Sequence, residues 1–498
     1  MAMDNVKLLY IDLFCGAGGT STGVENARLN GEKCAKVIAC VNHDANAIAS
    51  HAANHPDALH FTEDIRTLEL GPLADHVEKM RVQYPDALLV LWASLECTNF
   101  SKAKGGLPRD ADSRTLAEHL FRYIEALNPD YIQIENVEEF MCWGDLDEDG
   151  KPVSRDKGRC YMKWCRKVCS YGYRFDHRIL NAADFGAYTS RRRFFGQFAR
   201  KGLPIVFPTP TYSKTGGDDL FHHYEKWRPV RDVLDLEDTG ESIFGRKKPL
   251  VEKTLSRIYE GLVKFVAGGE DRFLVKWNSV NGKTGKYVPP SIDEPSPTVA
   301  CQNRLGVAKV QFLSAYYGNG YSIGMDEPAG TVTTKDRFAF VSAYYSPGYN
   351  TSVDAPVGTV TTEPRFYLMQ PQFLMNPQYQ SKGGSIEKPC FTLIARMDKC
   401  PPYLISTEKG LAIEVYEDDS PMTRKIKEFM ALYGIMDVKM RMLKIKELKR
   451  IMGFPADYTL VGSQAEQLKY VGNAVEVNMS RVLCEALVET LSKVKEAV

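Results

Sequence analysis

The sequence predicts an α/β protein with a β-rich region inserted into it. Three observations carry that expectation. Apolar runs alternate with helical stretches over residues 1–200, a repeated and proline-punctuated stretch follows from about Phe273 to Tyr403, and helical patterning returns after about Met422. Strands separated by helices favour a parallel sheet covered on both faces.

Each element has its own signal. Val6–Phe14 (VKLLYIDLF) is an apolar run that ends in a glycine-rich turn, Cys15–Gly23, and a helix-like stretch follows. A second run, Lys36–Asp44 (KVIACVNHD), and a third segment, HFTEDI, lead to further runs at Asp86–Trp92 and Asp130–Ile134. Leu203–Pro210 (LPIVFPTP) is a proline-rich exit from this pattern. Four related units then centre on Asp293–Val299, Asp326–Val332, Asp354–Val360 and Glu387–Leu393, each with Pro-x-x-Thr followed by Val or Leu. Their first prolines are 33, 28 and 33 residues apart, with aromatic segments such as FLSAYYGNGY between them. Proline turns with Thr, Val, Phe and Tyr favour short strands. The expected organisation is an α/β domain over 1–204, a β-rich insertion over 205–435 and a returning segment over 436–498.

The chain has 498 residues, 44% hydrophobic and 25% charged, which excludes a disordered or collagen-like protein. No apolar run approaches the length of a membrane span and the N-terminus lacks a secretory pattern, so a cytoplasmic protein is expected. Twelve unevenly spaced cysteines do not form a disulfide framework and are expected as thiols. Lys+Arg and Asp+Glu are equal at 63 each, so any nucleic-acid surface must be a local patch.

The candidate site residues stand at strand ends. Asp12-Leu13-Phe14-Cys15-Gly16-Ala17-Gly18-Gly19 ends a strand and opens a helix. Its glycines and free helix amides could hold a nucleotide phosphate or the amino-acid end of S-adenosylmethionine; the bland alternative is a tight turn. Asn42, His43 and Asp44 follow the second run, and Asp64 and Ile65 follow the third segment, where acceptors can bond a ribose or an adenine amine. Cys97 lies in a polar, basic loop after a strand, where a nucleophilic thiolate could reach a substrate. Glu135 directly follows an apolar strand, so desolvation should raise its pKa toward the proton-donating form; a capping or salt-bridged Glu is the alternative. SRRRFFGQFARKG carries Arg191, Arg192, Arg193, Arg200 and Lys201 without an acid, and Met436–Arg450 is similarly basic. Such runs suit a solvated face or phosphate and base recognition. Cys160, Cys165 and Cys169 fall on an expected helix without a matching Cys or His pair, so no metal is expected there.

Taken in order, these segments strongly resemble the cytosine-5 DNA methyltransferase family. IDLFCGAGG is similar to the family's cofactor loop, ECTNFS to its catalytic cysteine loop, and ENV at Glu135–Val137 to its glutamate motif. FGAYTSRRRFF resembles the arginine segment, with the family's two arginines at Arg191 and Arg193. KELKRIMGFP and YVGNAVEVN resemble the two late motifs, which adds Asn473 and Val475 to the cofactor set. Four departures stand out: Glu96 replaces the proline before the cysteine, Thr189 a glutamine, Asn42 the ribose acid, and Glu476 a proline. If charged and close, Glu96 would raise the pKa of the Cys97 thiol, and Lys102 and Lys104 could offset it.

The resemblance implies a Rossmann-like S-adenosylmethionine-dependent methyltransferase core with an inserted β-rich target-recognition domain. It implies S-adenosylmethionine as cofactor, no metal, and double-stranded DNA as partner, with a cognate restriction endonuclease where a modification system is involved. A monomer of bacterial or phage origin is the family default. Cys97 would add to C6 of a flipped-out cytosine, Glu135 would donate to N3, and Arg193 would hold O2 with Arg191 in support. Ser101, Lys102, Lys104, Arg109 and Arg114 fall in the loop after Cys97, which also holds Gly105-Gly106 and would close over the base. Arg304, Lys335, Arg337, Arg365 and Arg396 follow the repeated threonines and are candidate DNA contacts, with Gln302, Asn303 and Asn319 beside them. The competing readings are an RNA cytosine-5 methyltransferase and a catalytically silent DNA-binding relative. A dinucleotide-dependent oxidoreductase leaves Cys97, Glu135 and the arginines without a role.

Overall fold

Strand β1, Leu8–Leu13, is buried at every position and lies inside the first sheet. In the computed structural model the described residues are 5–95, 116–144, 158–235, 237–238, 240–263, 415–416, 418–432, 435 and 437–496. Short strand segments at 272–273, 306–309, 340–343, 350–352, 366–367, 372–375, 384–385 and 403–406 complete them. Cys97 and its loop, the four Pro-x-x-Thr units, and Arg304, Arg337 and Arg365 lie outside the described residues, as do Ser101, Lys102, Lys104, Arg109 and Arg114.

After β1 come helix α1 (Gly19–Asn26), a two-residue hairpin β2–β3 (Arg28–Leu29 and Glu32–Lys33), β4 (Ala35–Val41), α2 (Ala45–Asn54) and β5 (Leu59–Phe61). The chain continues through α3 (Gly71–Gln83), β6 (Leu88–Ser94), α4 (Leu120–Leu127), β7 (Tyr131–Asn136), α5 (Arg159–Cys169), β8 (Tyr173–Asn181) and β9 (Arg192–Arg200). The strands pair in the order β5-β4-β1-β6-β7-β9-β8. β5 through β7 run parallel, as the continuous apolar runs require. The last two strands correct the all-parallel expectation, because β9 is antiparallel to both β7 and β8. Read as a basic run, RRFFGQFAR is in fact a strand whose buried Phe194, Phe195 and Phe198 enter the core. Two apolar clusters cover the two faces, one built around Leu91, Tyr123 and Phe198 and the other around Tyr10, Trp92 and Leu483. The second is closed by the C-terminal helix Val477–Glu496.

By packing, the chain divides into Met1–Ala187 with Arg191–Lys226 and Met452–Val498, and a second unit of Tyr188–Ser190 with Trp227–Ile451. The turning points therefore fall at 227 and 451, where 205 and 435 were expected. Residues 205–226 stay with the first unit because Ile205, Val206 and Phe207 pack on its core and Gln197 bonds the Val206 carbonyl. Helix Ile445–Ile451 joins the second unit through the buried Glu447, which accepts from Arg441 at 2.9 Å and from the Asp235 amide at 2.7 Å. This also corrects the basic-patch reading of 436–450. Arg441 is paired with Glu447, and Lys444 meets Asp235 at 2.9 Å and Asp238 at 2.6 Å. Lys444 holds the Asp235 carboxyl down at about 2. The second unit's principal sheet orders Glu241–Ser242, Lys439–Met442, Tyr403–Ser406, Gly306–Lys309, Gln372–Met375 and Gly384–Ser385, with Arg272–Phe273 paired to Gly306–Lys309. Phe340–Ala343 pairs with Asn350–Ser352 and Phe366–Tyr367 in a smaller sheet.

Candidate active site

The sheet order brings the predicted residues into two groups at the carboxyl ends of the strands. Asp12, Asn42 and Asp64 belong to the ends of β1, β4 and β5, three adjacent strands. Glu135 lies on β7, beside β6 and β9. Such ends are where open α/β sheets hold ligands.

At the first group, Phe14 (φ 59°), Gly16 (φ 52°) and Gly18 (φ 101°) take positive φ in quick succession, a turn that only glycine adopts freely. Gly18 and Gly19 are required by space as well. A Cβ on Gly18 would stand 2.4 Å from the Tyr458 hydroxyl, and one on Gly19 would stand 2.5 Å from the Val475 carbonyl. Gly16 faces open space, with nothing within 4 Å of its Cβ position. That cradle, open on one side and closed on the other, fits the amino-acid end of S-adenosylmethionine. Phe14, Gly16, Gly18 and Gly19 would hold it, with the buried Val475 closing the loop from below. Asp12 is wholly buried and its carboxylate accepts from Ser21 at 2.8 Å, so it anchors α1 to β1 rather than facing the cradle. Burial pushes its pKa up to about 8, against the pull of the Ser21 hydrogen bond.

The second strand end is held by several hydrogen bonds. Asn42 accepts from the Asp44 amide at 2.9 Å, and Asp44 caps α2 by accepting from Asn46 and Ala47. The Tyr470 hydroxyl donates to Asp44 at 2.8 Å. His43 is exposed beside them and Ile65 is buried. Asp64 takes a forked contact from Arg66, at 3.0 and 2.6 Å, which holds its carboxyl below the usual range. Asn473 is exposed at the end of helix Gln464–Asn473. Sequence reasoning missed Tyr458, whose hydroxyl donates to the Ala17 carbonyl and braces the loop from 441 residues away. No local signal marks it.

At the second group Glu135 is buried inside β7, one position before the strand's end, whereas the sequence had suggested that it follows the strand. Cross-strand register sets it against Ser94 of β6 and Phe195 of β9. Arg193, on β9, brings Nε to 3.2 Å from Glu135 Oε1. The contact is close but off-line, and among the described residues Oε1 accepts no aligned hydrogen bond. Burial raises the Glu135 pKa, and Arg193 and Arg191 oppose it without prevailing. Alternation along β9 points Arg192 outward, 4.0 Å from Glu138, while Arg191 is buried and donates to the Gly472 carbonyl at 3.1 Å. Arg191 thus ties the arginine segment to the Gly-Asn-Ala-Val segment that underlies the glycine loop. Asn136 donates to the Leu95 carbonyl at 3.2 Å, fixing the chain where it departs toward Cys97. Glu476, the proline departure, is buried and accepts from the Met479 amide at 3.0 Å, capping the C-terminal helix.

The profile of the C-5 cytosine-specific DNA methylase family matches residues 8–243 and 374–489, well over half of the chain. The chain belongs to this family. Among characterised relatives of this C-5 cytosine methylase, it is 26% identical over 300 residues to "Type II methyltransferase M1.HphI" of Haemophilus parahaemolyticus, covering 59% of this chain and 71% of that one. It is 29% identical over 214 residues to "Type II methyltransferase M.XorII" of Xanthomonas oryzae pv. oryzae, covering 42% and 45%. To "Type II methyltransferase M.AgeI" of Thalassovita gelatinovora it is 30% identical over 203 residues, covering 41% and 42%. The match thus spans less than half the length of the latter two. Of solved structures, S. pombe Dnmt2 methyltransferase aligns with 97% of this chain and 99% of its own, at a TM-score of 0.47 and 16% identity. That likeness is too low to bear on substrate. No helix among the described residues is long and apolar enough to cross a membrane.

Proposed function

We propose that this C-5 cytosine methylase methylates C5 of cytosine in duplex DNA, with S-adenosylmethionine as its cofactor. The observation that carries the reading is the buried Glu135–Arg193 pair at the mouth of β7 and β9, one strand from the segment leading to Cys97. S-adenosylmethionine, when bound, supplies an electrophilic methyl group. Everything else is asked of the chain.

C5 of cytosine is a weak nucleophile. Addition of the Cys97 thiolate to C6 breaks the C5–C6 double bond and makes C5 enamine-like, provided that the ring nitrogen is protonated as charge builds. Glu135, kept toward its neutral form by burial, donates that proton to N3. Arg193 stabilises negative charge at O2, and Arg191 holds the segment in register through Gly472. Once C5 carries the methyl group, water takes the C5 proton, the C5–C6 double bond re-forms as the Cys97 thiolate leaves, and the N3 proton returns to Glu135. The unaligned Oε1 of Glu135 supports this reading, because a buried acceptor without a bond is costly unless a substrate completes it.

In this proposal the β-rich residues 227–451 recognise the target sequence. Ser101, Lys102, Lys104, Arg109, Arg114, Arg304, Arg337 and Arg365 contact DNA, and the enzyme acts in the cytoplasm as a monomer. The relatives' names, Type II methyltransferases, support a modification role with a cognate endonuclease.

The test is transfer of labelled methyl to duplex DNA and, in parallel, to tRNA, followed by nucleoside analysis. The expected result is 5-methylcytosine in DNA, abolished by Cys97→Ala. Label in tRNA alone would replace DNA by RNA as substrate, and cofactor binding without transfer to either would overturn the catalytic reading.

A further inference from the structure

Beneath the glycine loop, on the side away from the open cradle, lie two thiols and two imidazoles that the proposed reaction does not use. Cys15 follows β1, Cys40 is in β4, His51 is in α2 and His60 is in β5. The first three are buried, and one donor atom from each lies within 4.8 Å of the other two. Cys40 Sγ is 3.6 Å from His51 Nδ1, and His60 Nε2 is 2.9 Å from the same nitrogen. Both cysteines are free thiols.

The hydrogen bonds behind His51 decide which nitrogen faces the cluster. Ser21 donates to Asp12 at 2.8 Å, so its oxygen is left to accept from His51 Nε2–H at 2.9 Å. The lone pair of His51 is therefore on Nδ1, aimed at the cysteines and at His60. His60 Nε2 stands at hydrogen-bond distance from that nitrogen, and the Cys40 and Cys15 thiols gather beside the same pair. A histidine fixed through its far nitrogen by a hydroxyl–carboxylate relay is the usual outer shell of a metal ligand.

We propose that Cys15, Cys40, His51 and His60 form a Zn2+ site beneath the cofactor loop. Two thiolates and two neutral imidazoles suit a borderline-soft, tetrahedral cation and exactly balance its charge in a dry core. With Zn–S of about 2.3 Å and Zn–N of about 2.0–2.1 Å, neighbouring donors in a tetrahedron stand about 3.3–3.8 Å apart. The Cys40–His51 separation already meets this, and the two imidazoles need to part by about 0.4 Å. Binding releases the two thiol protons. Four protein ligands leave no open position, so the ion is structural, clamping β1, β4, β5 and α2 under the loop. The half-buried His60 provides the route of entry. The inference does not depend on the substrate being DNA.

The experiment uses the full chain, expressed with zinc in the medium and desalted before elemental analysis. The expected result is about one equivalent of zinc per chain, released by a mercurial reagent together with the protein thiols. Cys40→Ala and His60→Ala should each lose most of it while circular dichroism stays that of a folded protein. Should those variants not fold, Co2+ exchange into the wild-type protein should give the thiolate charge-transfer and intense d–d bands of tetrahedral cobalt. Folded wild-type protein without zinc that gives only the weak spectrum of octahedral cobalt would overturn the proposal. So would zinc retained in full by both variants, or a Cys15–Cys40 disulfide in the protein as isolated.

Discussion

The two ends of the same sheet edge are built in opposite ways. Around β1, β4 and β5 the named polar side chains mostly hold one another: Asp12 by Ser21 through one oxygen, with its other oxygen buried and unbonded, Asn42 by Asp44, Asp44 by Tyr470 and the α2 amides, Asp64 by Arg66. Around β7 and β9, Glu135 is buried beside Arg193 with an acceptor atom unaligned. The first end spends its hydrogen bonds on shape, so that the backbone cradle is ready before a ligand arrives. The second keeps polar capacity for a partner and is correspondingly strained by desolvation. Preorganised backbone suits a cofactor that must be exchanged unchanged in shape, whereas held-back side chains suit a group that changes charge during reaction.

Mutations should separate the two ends, and the largest effect belongs to the second. Glu135→Gln should lower kcat by about 10²–10⁴-fold, because the amide cannot deliver the proton. Cofactor affinity, read by calorimetry, should stay within about twofold. In the wild-type enzyme kcat should decline as pH rises through the elevated Glu135 pKa, since only the neutral carboxyl donates. A pH-independent rate, or a Gln variant of wild-type kcat, would break the contrast.

Gly19→Ala attacks the first end. Its Cβ would meet the Val475 carbonyl at 2.5 Å, so the loop or the C-terminal segment must shift, at a cost of about 1–3 kcal/mol. Weaker cofactor binding and a lower Tm should appear together, and normal values for both would show that the cradle tolerates change. Tyr458→Phe should act in the same direction but more weakly. It leaves the Ala17 carbonyl without its donor, for a loss of about 1 kcal/mol in the same two measurements.

The last effect is read in stability alone and is the most specific. Burial lifts the Glu476 pKa from 4.5 to about 8, against the Asn478 and Met479 amides. Between those values the native carboxyl keeps its proton while the unfolded one has lost it, so native protein binds more protons and its stability falls as pH rises. Below 4.5 both states are neutral, and above 8 the full penalty is present. Denaturant titrations of Glu476→Gln should therefore show a shallower decline between pH 5 and 8 than wild type. Parallel pH profiles would show that Glu476 is not buried as described.

Strand-forming runs and glycine turns are local signals, and the order of the motifs survives in one dimension. That is why β1, β4, β6 and β7, the cradle at Gly16–Gly19 and the candidacy of Glu135 and Arg193 were all legible. The RRFFGQFAR strand was not, because its arginines masked the alternation that buries Phe194 and Phe198. The basic stretch at 436–450 misled for the complementary reason: Asp235 and Asp238, which neutralise Lys444, are some 200 residues distant in the chain.

By itself, then, the sequence determined most of the strands and helices of the first unit and which family chemistry they bear, since propensity and spacing act over a few residues. Only the tertiary structure decided who meets whom. Sheet order is not chain order: β1 lies between β4 and β6, and β9 turns back between β7 and β8. From that order come the Glu135–Arg193 pair, the Tyr458 brace on Ala17, and the convergence of Cys15, Cys40, His51 and His60. Such meetings depend on burial and on long-range packing, which no local pattern encodes.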